Sequence, residues 1–252
     1  MINSEQFSAY KKFYDKVCRR ARNNKLITNI SRVLVIAPHQ DDEIIGCGGA
    51  LLFHRKEGHQ INFCYLTDGC KGTIDGQSEE KVAKIRQFEA MQVAERLNAS
   101  KVLFWNNKDL ELEMTRTNIN KMKELLLECS PELIYAPAPF ESHPDHYNTY
   151  KILVRAIQEL INGMKEIDGI WSERYVYLYS VWNISFTNFT LDISDLWDEK
   201  LKLLALYNSQ EVFHITELTQ CKDRYFALQN QYSRMKYGES YIRLSCKALS
   251  EL

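Results

Sequence analysis

The stretch that decides the fold is Val33-Leu34-Val35-Ile36-Ala37-Pro38-His39-Gln40-Asp41-Asp42-Glu43. It begins as an apolar, β-branched run that is typical of a buried strand, and it ends in one histidine and three consecutive carboxylates. Carboxylates at the end of a buried strand are costly to remove from water unless a cation meets them. A second cluster, His143-Pro144-Asp145-His146, follows another strand-like run. Together they predict the two halves of a metal site, and a metal-dependent hydrolase is the leading hypothesis.

The length and charge of the chain indicate its domain organisation and the kinds of partner that it does not favour. The 252 residues suit one large α/β domain, and the balance of 32 Lys+Arg against 33 Asp+Glu does not favour a nucleic-acid partner. No run approaches the ~18 apolar residues of a membrane span, and the charged start of the chain does not resemble a signal peptide. The seven cysteines are odd in number and form no Cys-x-x-Cys pair. We expect a cytoplasmic protein without an integral membrane segment, and the sequence leaves its oligomeric state open.

Strand-like and helix-like patterns alternate along the chain. Strands are predicted at 31–36, 60–66, 101–105, 133–136, 174–182 and 189–193, and helices at 4–24, 43–57, 78–97, 118–129, 145–162, 195–207 and 215–236. This alternation predicts an α/β fold with a mostly parallel sheet and helices on both faces. With no repeat or linker, we expect one domain over 1–252. It would consist of an N-terminal helix, a core at about 31–212 and a helical C-terminal region at 213–252.

Both clusters fall at the carboxyl ends of predicted strands, where parallel sheets bind their ligands. His39 and Asp42 lie three residues apart across a strand-to-helix turn, so both side chains can reach one ion. A catalytic zinc site typically has three protein ligands, and His146 is the natural third. Asp41 would then lie beside the ion without being a ligand. A carboxylate in that place can take a proton from a water that the metal activates.

The second cluster suggests a partner for the developing oxyanion. If His146 binds the metal, His143 can face the substrate and donate a hydrogen bond to it. We expect the neighbouring carboxylate of Asp145 to raise the pKa of His143 and hold it protonated. The alternative interpretation is a surface turn in which Pro144 begins a helix and Asp145 complements the helix dipole. A structural cap, however, does not explain three acids after a histidine.

The segment Gly46-Cys47-Gly48-Gly49 is only weakly typical of a nucleotide-binding loop. The carboxylates of the first cluster occupy the mouth where a pyrophosphate would bind, and they would repel it. We expect the glycines to allow close packing of helix on sheet instead. His54, His59 and His214 lack an acidic or histidine companion in a comparable cluster at a strand end, and they are expected to be surface or packing residues.

These residues closely resemble the signature of the LmbE-like (PIG-L) N-acetylglucosamine deacetylases. That family carries an Ala-Pro-His-Pro-Asp-Asp-Glu motif after the first strand and a later His-Pro-Asp-His motif, and the chain has 37–43 and 143–146 in these places. Four further stretches are more weakly similar to the family: Gly46-Cys47-Gly48-Gly49, Thr67-Asp68-Gly69, Arg86-x-x-Glu89-Ala90, and Lys202 with Ser209-Gln210. The resemblance spans roughly 31–212.

The resemblance implies a Rossmann-like fold and removal of acetyl from an N-acetylated amino sugar. It implies one zinc ion per chain, with another divalent metal as the alternative. Carried over by position, the ligands are His39, Asp42 and His146. Asp41 is the general base. His143 is the residue that stabilises the oxyanion or acts as the acid, and Asp145 is the acidic residue that supports it. Glu43 is expected to be a structural residue that the helix dipole stabilises.

Two residues depart from the family pattern. Gln40 stands where the family commonly has proline, which leaves the path of this loop open. Asn98 stands where a helix-ending glycine is usual, and asparagine can adopt the same left-handed conformation.

Two alternatives remain at this stage. One keeps the metal site but makes the protein an amidase or esterase of another small polar acyl compound. The other is a non-catalytic sugar-binding module. The substrate's aglycone is not predictable. The aromatic residues available to stack on a sugar are Trp105, Phe140, Trp171, Tyr179 and Trp182. Most of them are expected to be core or sheet residues.

Overall fold

A computed structural model of the chain describes residues 29–72, 76–163, 168–184, 186–229 and 234–252. The predicted N-terminal helix at 4–24 lies outside the described residues. In the described ranges, no helix combines the length and the hydropathy that a membrane span requires.

The strands are β1 (Arg32–Ala37), β2 (Gln60–Thr67), β3 (Lys101–Asn107), β4 (Leu133–Pro137), β5 (Tyr175–Tyr179), β6 (Phe189–Asp192) and β7 (Gly238–Ser245). The α-helices are α1 (Asp42–Lys56), α2 (Glu79–Arg96), α3 (Arg116–Cys129), α4 (Pro144–Gly163), α5 (Asp168–Ser172), α6 (Trp197–Leu204), α7 (Ile215–Gln229) and α8 (Cys246–Ser250). Short 3-10 helices cover Ser194–Leu196 and Asn208–Phe213.

The strands form one sheet in the order β3-β2-β1-β4-β5-β7-β6. The first five are parallel, and β7 is antiparallel to both of its neighbours. The predicted fold class is confirmed. The chain runs from β1 outward to β3 and then returns to β4 on the other side of β1. The sheet therefore has its switch point between β1 and β4, where the two clusters meet.

Alternate residues of β1 enter different cores, as the two-residue period of a strand requires. Val33 and Val35 pack in a core that includes residues of α1, α2 and α6. Leu34 and Ile36 pack in a second core with residues of α3, α4 and α8. Because both faces of β1 are covered, its sequence is apolar throughout rather than alternating.

Two sequence predictions about the C-terminal half are wrong. The strand predicted at 174–182 ends at Tyr179, so Trp182 lies in the loop beyond it. The region 213–252, predicted to be helical, contains β7 as a central strand between β5 and β6. The helix predicted at 215–236 is described as far as Gln229. Asn98 has a φ of 52°, which confirms its predicted left-handed conformation.

Helix α1 packs very closely on the sheet. A Cβ atom added to Gly46 would lie 2.2 Å from Cδ2 of Tyr179, which only glycine tolerates. This confirms the packing role predicted for the glycine segment. The helix is kinked at Cys47, whose φ of −144° is not helical. The backbone groups freed by this kink need partners in a buried place.

A buried ion cluster provides those partners. The Glu239 carboxylate accepts hydrogen bonds from the amides of Gly49 (2.6 Å) and Ala50 (2.9 Å). Lys200 contacts the Ile45 carbonyl at 3.2 Å and pairs with Glu239 at 2.7 Å. Two further members complete the cluster: Asp223, 2.6 Å from Lys200, and Lys222, 2.8 Å from the Ile45 carbonyl. The cluster fixes both ends of the kink in α1, the helix that begins at Asp42.

His54, in the last turns of α1, is fully buried and predicts a pH-dependent stability. It hydrogen bonds Tyr135 at 2.9 Å and His59 at 2.9 Å. Burial, assisted by His59, lowers the pKa of His54 to about 3. The unfolded chain binds a proton here below a pKa of ~6.5 while the folded chain does not, so stability falls as the pH decreases.

Between pH 7 and pH 5, the free energy of unfolding of the wild-type protein should fall by about 2 kcal/mol more than that of the His54→Gln protein. The measurement is urea denaturation of both proteins at the two pH values, with a chelator present so that metal loss does not contribute. An identical pH dependence in the two proteins would contradict the prediction.

Candidate metal centre and catalytic pocket

The two sequence clusters meet at the carboxyl edge of the sheet. His39 follows β1, and His146 lies in the first turn of α4, which follows β4. Asp42 begins α1, so its side chain is fixed by the start of that helix. All three side chains are buried. Residues 107 positions apart in the chain are thus brought into contact by the pairing of β1 with β4.

The potential ligand atoms of these three residues form a nearly equilateral triangle. His39 Nδ1 and His146 Nε2 each lie 3.2 Å from Asp42 Oδ2, and they lie 3.3 Å from each other. Three corners of a tetrahedron with bonds of 2.0–2.1 Å lie about 3.3 Å apart. The spacing of the three donor atoms therefore fits a tetrahedral metal site.

Other groupings of donors exist near the triangle. Ligand atoms within 4.8 Å of one another occur in His39, His143 and His146, and in His39, Asp109, His143 and Asp145. Neither set contains Asp42, although its oxygen is 3.2 Å from two histidines. We favour the triangle with Asp42 because all three of its donor-to-donor distances lie between 3.2 and 3.3 Å. The Asp145 carboxylate, in contrast, is already occupied by backbone amides.

The second ring nitrogen of His39 is held by carboxylates. Its Nε2 lies 3.1 Å from Asp109 Oδ1 and 3.2 Å from Asp145 Oδ2. Burial opposes protonation of His39, but hydrogen bonds to Asp109, Asp145 and Asp42 raise its pKa well above the usual value. A histidine that donates Nε2–H to a carboxylate presents Nδ1 as a lone pair, which is the usual arrangement for a metal ligand.

Asp145 supports a different histidine from the one predicted. Its carboxylate accepts hydrogen bonds from the amides of Leu110 (2.8 Å) and Leu112 (3.2 Å) and contacts His39. Towards His143 it offers only its backbone amide, which donates to Nδ1 at 3.2 Å. The expected pairing of the Asp145 carboxylate with His143 is therefore wrong. The carboxylate is turned to the other side by the loop that follows β3.

His143 is consequently a neutral donor in this arrangement. Burial lowers its pKa, and the charges of His39 and His146 lower it further. The expectation of a raised pKa is wrong. Because Nδ1 accepts from the Asp145 amide, the ring proton is assigned to Nε2. The imidazole can donate a hydrogen bond without being charged.

Asp41 has a strained backbone. Its φ of 131° is rare for any residue with a side chain. Its amide donates to Glu43 Oε2 at 3.1 Å, and Arg86 Nη2 donates to its carboxylate at 3.1 Å. Burial raises the pKa of Asp41 to about 7, against the opposing charge of Arg86. A carboxyl group with a pKa near neutrality is suited to both accept and return a proton.

Glu43 stabilises this strained turn by accepting a hydrogen bond from the Asp41 amide. It is fully buried, and the hydroxyl of Tyr207 donates to its carboxylate. Burial raises the pKa of Glu43 to about 8. Its contacts with Tyr207 and with the Asp41 amide make it a hydrogen-bonding link between the motif and the segment after α6. This is more than the dipole-stabilised role expected from the sequence.

Two pocket residues were not predicted as site residues. Arg86, on α2, binds the Gln40 carbonyl (2.6 Å) in addition to Asp41. The side chain of Gln40 itself donates to the Thr67 carbonyl at 3.0 Å, so the residue at the proline position ties the loop to β2. Asp109 follows the edge strand β3. In the sequence, Arg86 belongs only to a weak motif, and the residues around Asp109 carry no signal of a site.

A cavity of about 290 Å³ lies over these groups. Its polar lining includes His39, Asp41, Arg86, Asp109 and His143. Its apolar lining consists of Leu110, Trp182, Phe213 and Ile215. Reactive groups and apolar surface thus share one opening, as is typical of sites for small molecules.

The family comparison matches the region that contains the site. Residues 34–157 match the family model described as GlcNAc-PI de-N-acetylase, PIG-L. This range contains both clusters, the strands β2, β3 and β4, and all of β1 except its first two residues.

Individual relatives extend the comparison to most of the chain. The diacetylchitobiose deacetylase of Thermococcus kodakarensis is 28% identical over 231 residues, which cover 86% of this chain and 84% of that protein. The 4-oxalmesaconate hydratase of Pseudomonas putida is 25% identical over 77% of this chain and 79% of that protein. Among solved structures, N,N'-diacetylchitobiose deacetylase from Pyrococcus horikoshii has a TM-score of 0.76 at 25% identity. That match covers 98% of this chain and 95% of that chain.

Proposed function

Because the chain belongs to the PIG-L (LmbE-like) family, we propose that it is a metal-dependent hydrolase that removes the N-acetyl group from an N-acetylglucosamine-type sugar conjugate. The observation that carries this proposal is the triangle of His39, Asp42 and His146, with Asp41 beside it at the floor of a cavity. Two compared proteins are named as deacetylases of diacetylchitobiose, an N-acetylated sugar.

Zinc is the metal that the donor set favours. Two imidazole nitrogens and one carboxylate oxygen are a common catalytic zinc set, although other divalent metals also accept such ligands. When bound, the cation supplies Lewis acidity for the amide carbonyl and for the attacking water. His39 is oriented for this task by Asp109 and Asp145, which hold its other nitrogen.

Asp41 is proposed as the general base. It lines the cavity directly beside Asp42 and can accept a proton from the water that attacks the acetyl carbonyl. As the carbon–nitrogen bond breaks, the same carboxyl group can return that proton to the leaving amine. The products are then acetate and the free amino sugar. Arg86 fixes one carboxylate oxygen of Asp41 at 3.1 Å, so the orientation of the base is set before substrate binds.

His143 is proposed to stabilise the oxyanion. Its ring stands edge-on to His39, with centroids 4.7 Å apart, and it lines the cavity. Because Nδ1 is engaged by the Asp145 amide, Nε2–H is free to donate to the carbonyl oxygen as negative charge develops. A neutral His143 can donate this hydrogen bond without transferring its proton, so it returns unchanged after each turnover.

The proposal is tested by acetate release and metal content together. We expect zinc-loaded protein to release acetate from N,N'-diacetylchitobiose or N-acetylglucosamine, and a chelator to abolish the release. His146→Ala should weaken metal affinity at least about a hundredfold, since changes in the outer shell of ligands alone typically cause 10–100-fold losses. Elemental analysis and acetate quantification measure the two effects.

His214→Ala is the matched control. His214 lies outside the cavity with an exposed side chain, so the variant should retain both metal and activity. The proposal fails if acetate is not released from any N-acetylated amino sugar by metal-loaded protein. Because one relative is named as a 4-oxalmesaconate hydratase, hydration of 4-oxalmesaconate is assayed in parallel. Activity in that assay alone would replace the deacetylase proposal.

A further inference from the structure

Trp182 is an exposed aromatic residue at the rim of the catalytic cavity. It lines the cavity, and 40% of its surface is accessible. The other aromatic candidates for sugar stacking differ in this respect. Trp171 and Tyr179 are buried, and Trp105 and Phe140 pack against the core formed with α3 and α4. Trp182 alone among these five candidates lines the cavity.

The loop that carries Trp182 is anchored rather than free. The carboxylate of Glu141 accepts hydrogen bonds from the amides of Val181 (2.8 Å) and Trp182 (3.1 Å). The side chain of Asn183 donates to the Phe140 carbonyl at 2.6 Å. Glu141 is itself buried, so this bidentate contact is shielded from water. The backbone that carries the indole is therefore held before any ligand binds.

The same Glu141 carboxylate also faces the metal triangle. Its Oε2 lies 3.7 Å from Nδ1 of His146, the nitrogen that points away from Asp42. One buried residue therefore lies between a proposed metal ligand and the aromatic rim. Glu141 thus connects the backbone of Trp182 to His146 through two direct contacts.

A second apolar side chain faces the cavity from another part of the chain. Phe213 ends the 3-10 helix Asn208–Phe213, and 37% of its surface is accessible. That helix is held to α2, because Glu89 accepts hydrogen bonds from the Ser209 amide (2.8 Å) and hydroxyl (2.6 Å). The rim thus carries two exposed aromatic rings on two independently anchored segments.

The distribution of polarity indicates which part of a substrate meets this rim. The groups that would act on the acetamide, His39 and Asp41, are buried, whereas Trp182, Phe213 and Lys71 are exposed at the opening of the cavity. The rest of the substrate must therefore extend through an opening that carries two aromatic rings. A pyranose ring presents axial C–H groups on one face and hydroxyls at its edge. The flat, electron-rich face of an indole is complementary to such C–H groups. A linear polar acyl compound offers no such face.

We propose that Trp182 is a specificity-determining residue that stacks on the pyranose ring of the substrate and so selects cyclic amino sugars over acyclic N-acetyl compounds. This inference rests on the proposed deacetylase function and names the part of the substrate that is recognised. It assigns Trp182 no part in bond breaking.

The test compares kinetics on N-acetylglucosamine conjugates with kinetics on N-acetylethanolamine, which has the acetamide but no ring. For Trp182→Ala, we expect KM for the sugar to rise about tenfold while kcat changes less than about twofold. KM for the acyclic amide should not change. Trp182→Phe should restore most of the sugar affinity because it keeps a flat ring, whereas Trp182→Leu should not. Phe88→Ala is the control, since Phe88 is 64% exposed on α2 and does not line the cavity.

Binding is measured separately by calorimetry with the sugar on the metal-loaded Asp41→Asn protein, with and without Trp182→Ala. Equal affinities in the two proteins, or an equal KM increase for the acyclic amide, would overturn the inference. If the wild-type protein releases no acetate, the proposed function fails. The stacking inference then stands only if the sugar binds and Trp182→Ala weakens that binding, and it is overturned if the sugar does not bind.

Discussion

Asp41→Asn is expected to lower kcat at least about a hundredfold, which is the lower range for the loss of a general base. Asparagine has nearly the same shape but accepts no proton at neutral pH. The amide of residue 41 would still reach Glu43, and Arg86 would still find a carbonyl oxygen in place of the carboxylate. The loss should therefore appear in kcat, while the substrate KM changes much less.

Metal content and thermal stability show whether this loss is chemical. Asp41 is not part of the ligand triangle, so the variant should keep the metal of the wild-type protein. Burial raises the pKa of Asp41, so its charged form is disfavoured in the folded state. The neutral amide should therefore leave the melting temperature unchanged or higher. Retained turnover, or loss of metal in proportion to activity, would contradict the assignment of Asp41 as base.

Lys200→Ala is expected to destabilise the protein by about 3–5 kcal/mol, the range for removing one partner of a buried ion pair. Lys200 is fully buried, and its ammonium group lies 2.6 Å from Asp223 and 2.7 Å from Glu239. Without it, two carboxylates share a buried space with Lys222. Their charged forms are then disfavoured, so the loss of stability should be larger at pH 8 than at pH 5.

Lys202→Ala is the matched control, because Lys202 is an exposed lysine on the same helix. Its removal should change stability by less than about 0.5 kcal/mol. Urea denaturation of the three proteins at both pH values gives the free energies of unfolding. A Lys200→Ala protein as stable as the Lys202→Ala protein would show that the cluster contributes nothing to the fold. The sequence motif contains Lys202, which is exposed. The buried lysine is Lys200, two residues earlier on the same helix.

The central strands and helices were predictable because their patterns are strong and local. β1, β2 and β4 are continuous apolar runs that end in turn or polar residues, and the structure places them within one residue of the prediction. β7 was not predictable in the same way. Its inward-facing Glu239 is polar, and the lysine that neutralises it comes from α6, 39 residues away. No local pattern records such a partner.

The sequence predicted which residues gather at the candidate site better than it predicted which of their side chains contact each other. The spacing of His39, Asp42 and His146 anticipated a set of side chains that the structure brings within 3.3 Å of one another. Their role as ligands stays a prediction. The contact of Asp145 with His39 depends on how three segments pack, because the loop after β3 turns the carboxylate away from His143. Sequence neighbours alone suggested the wrong pair.

The unusual backbone of Asp41 limits how far this protein can be stabilised. A residue held at a φ of 131° stores about 1–3 kcal/mol of strain that the rest of the fold must offset. Glycine would relieve that strain at once, yet it would also delete the carboxylate. Selection for thermal stability alone would therefore favour an inactive protein with glycine at residue 41. Selection for turnover retains Asp41 and its strain.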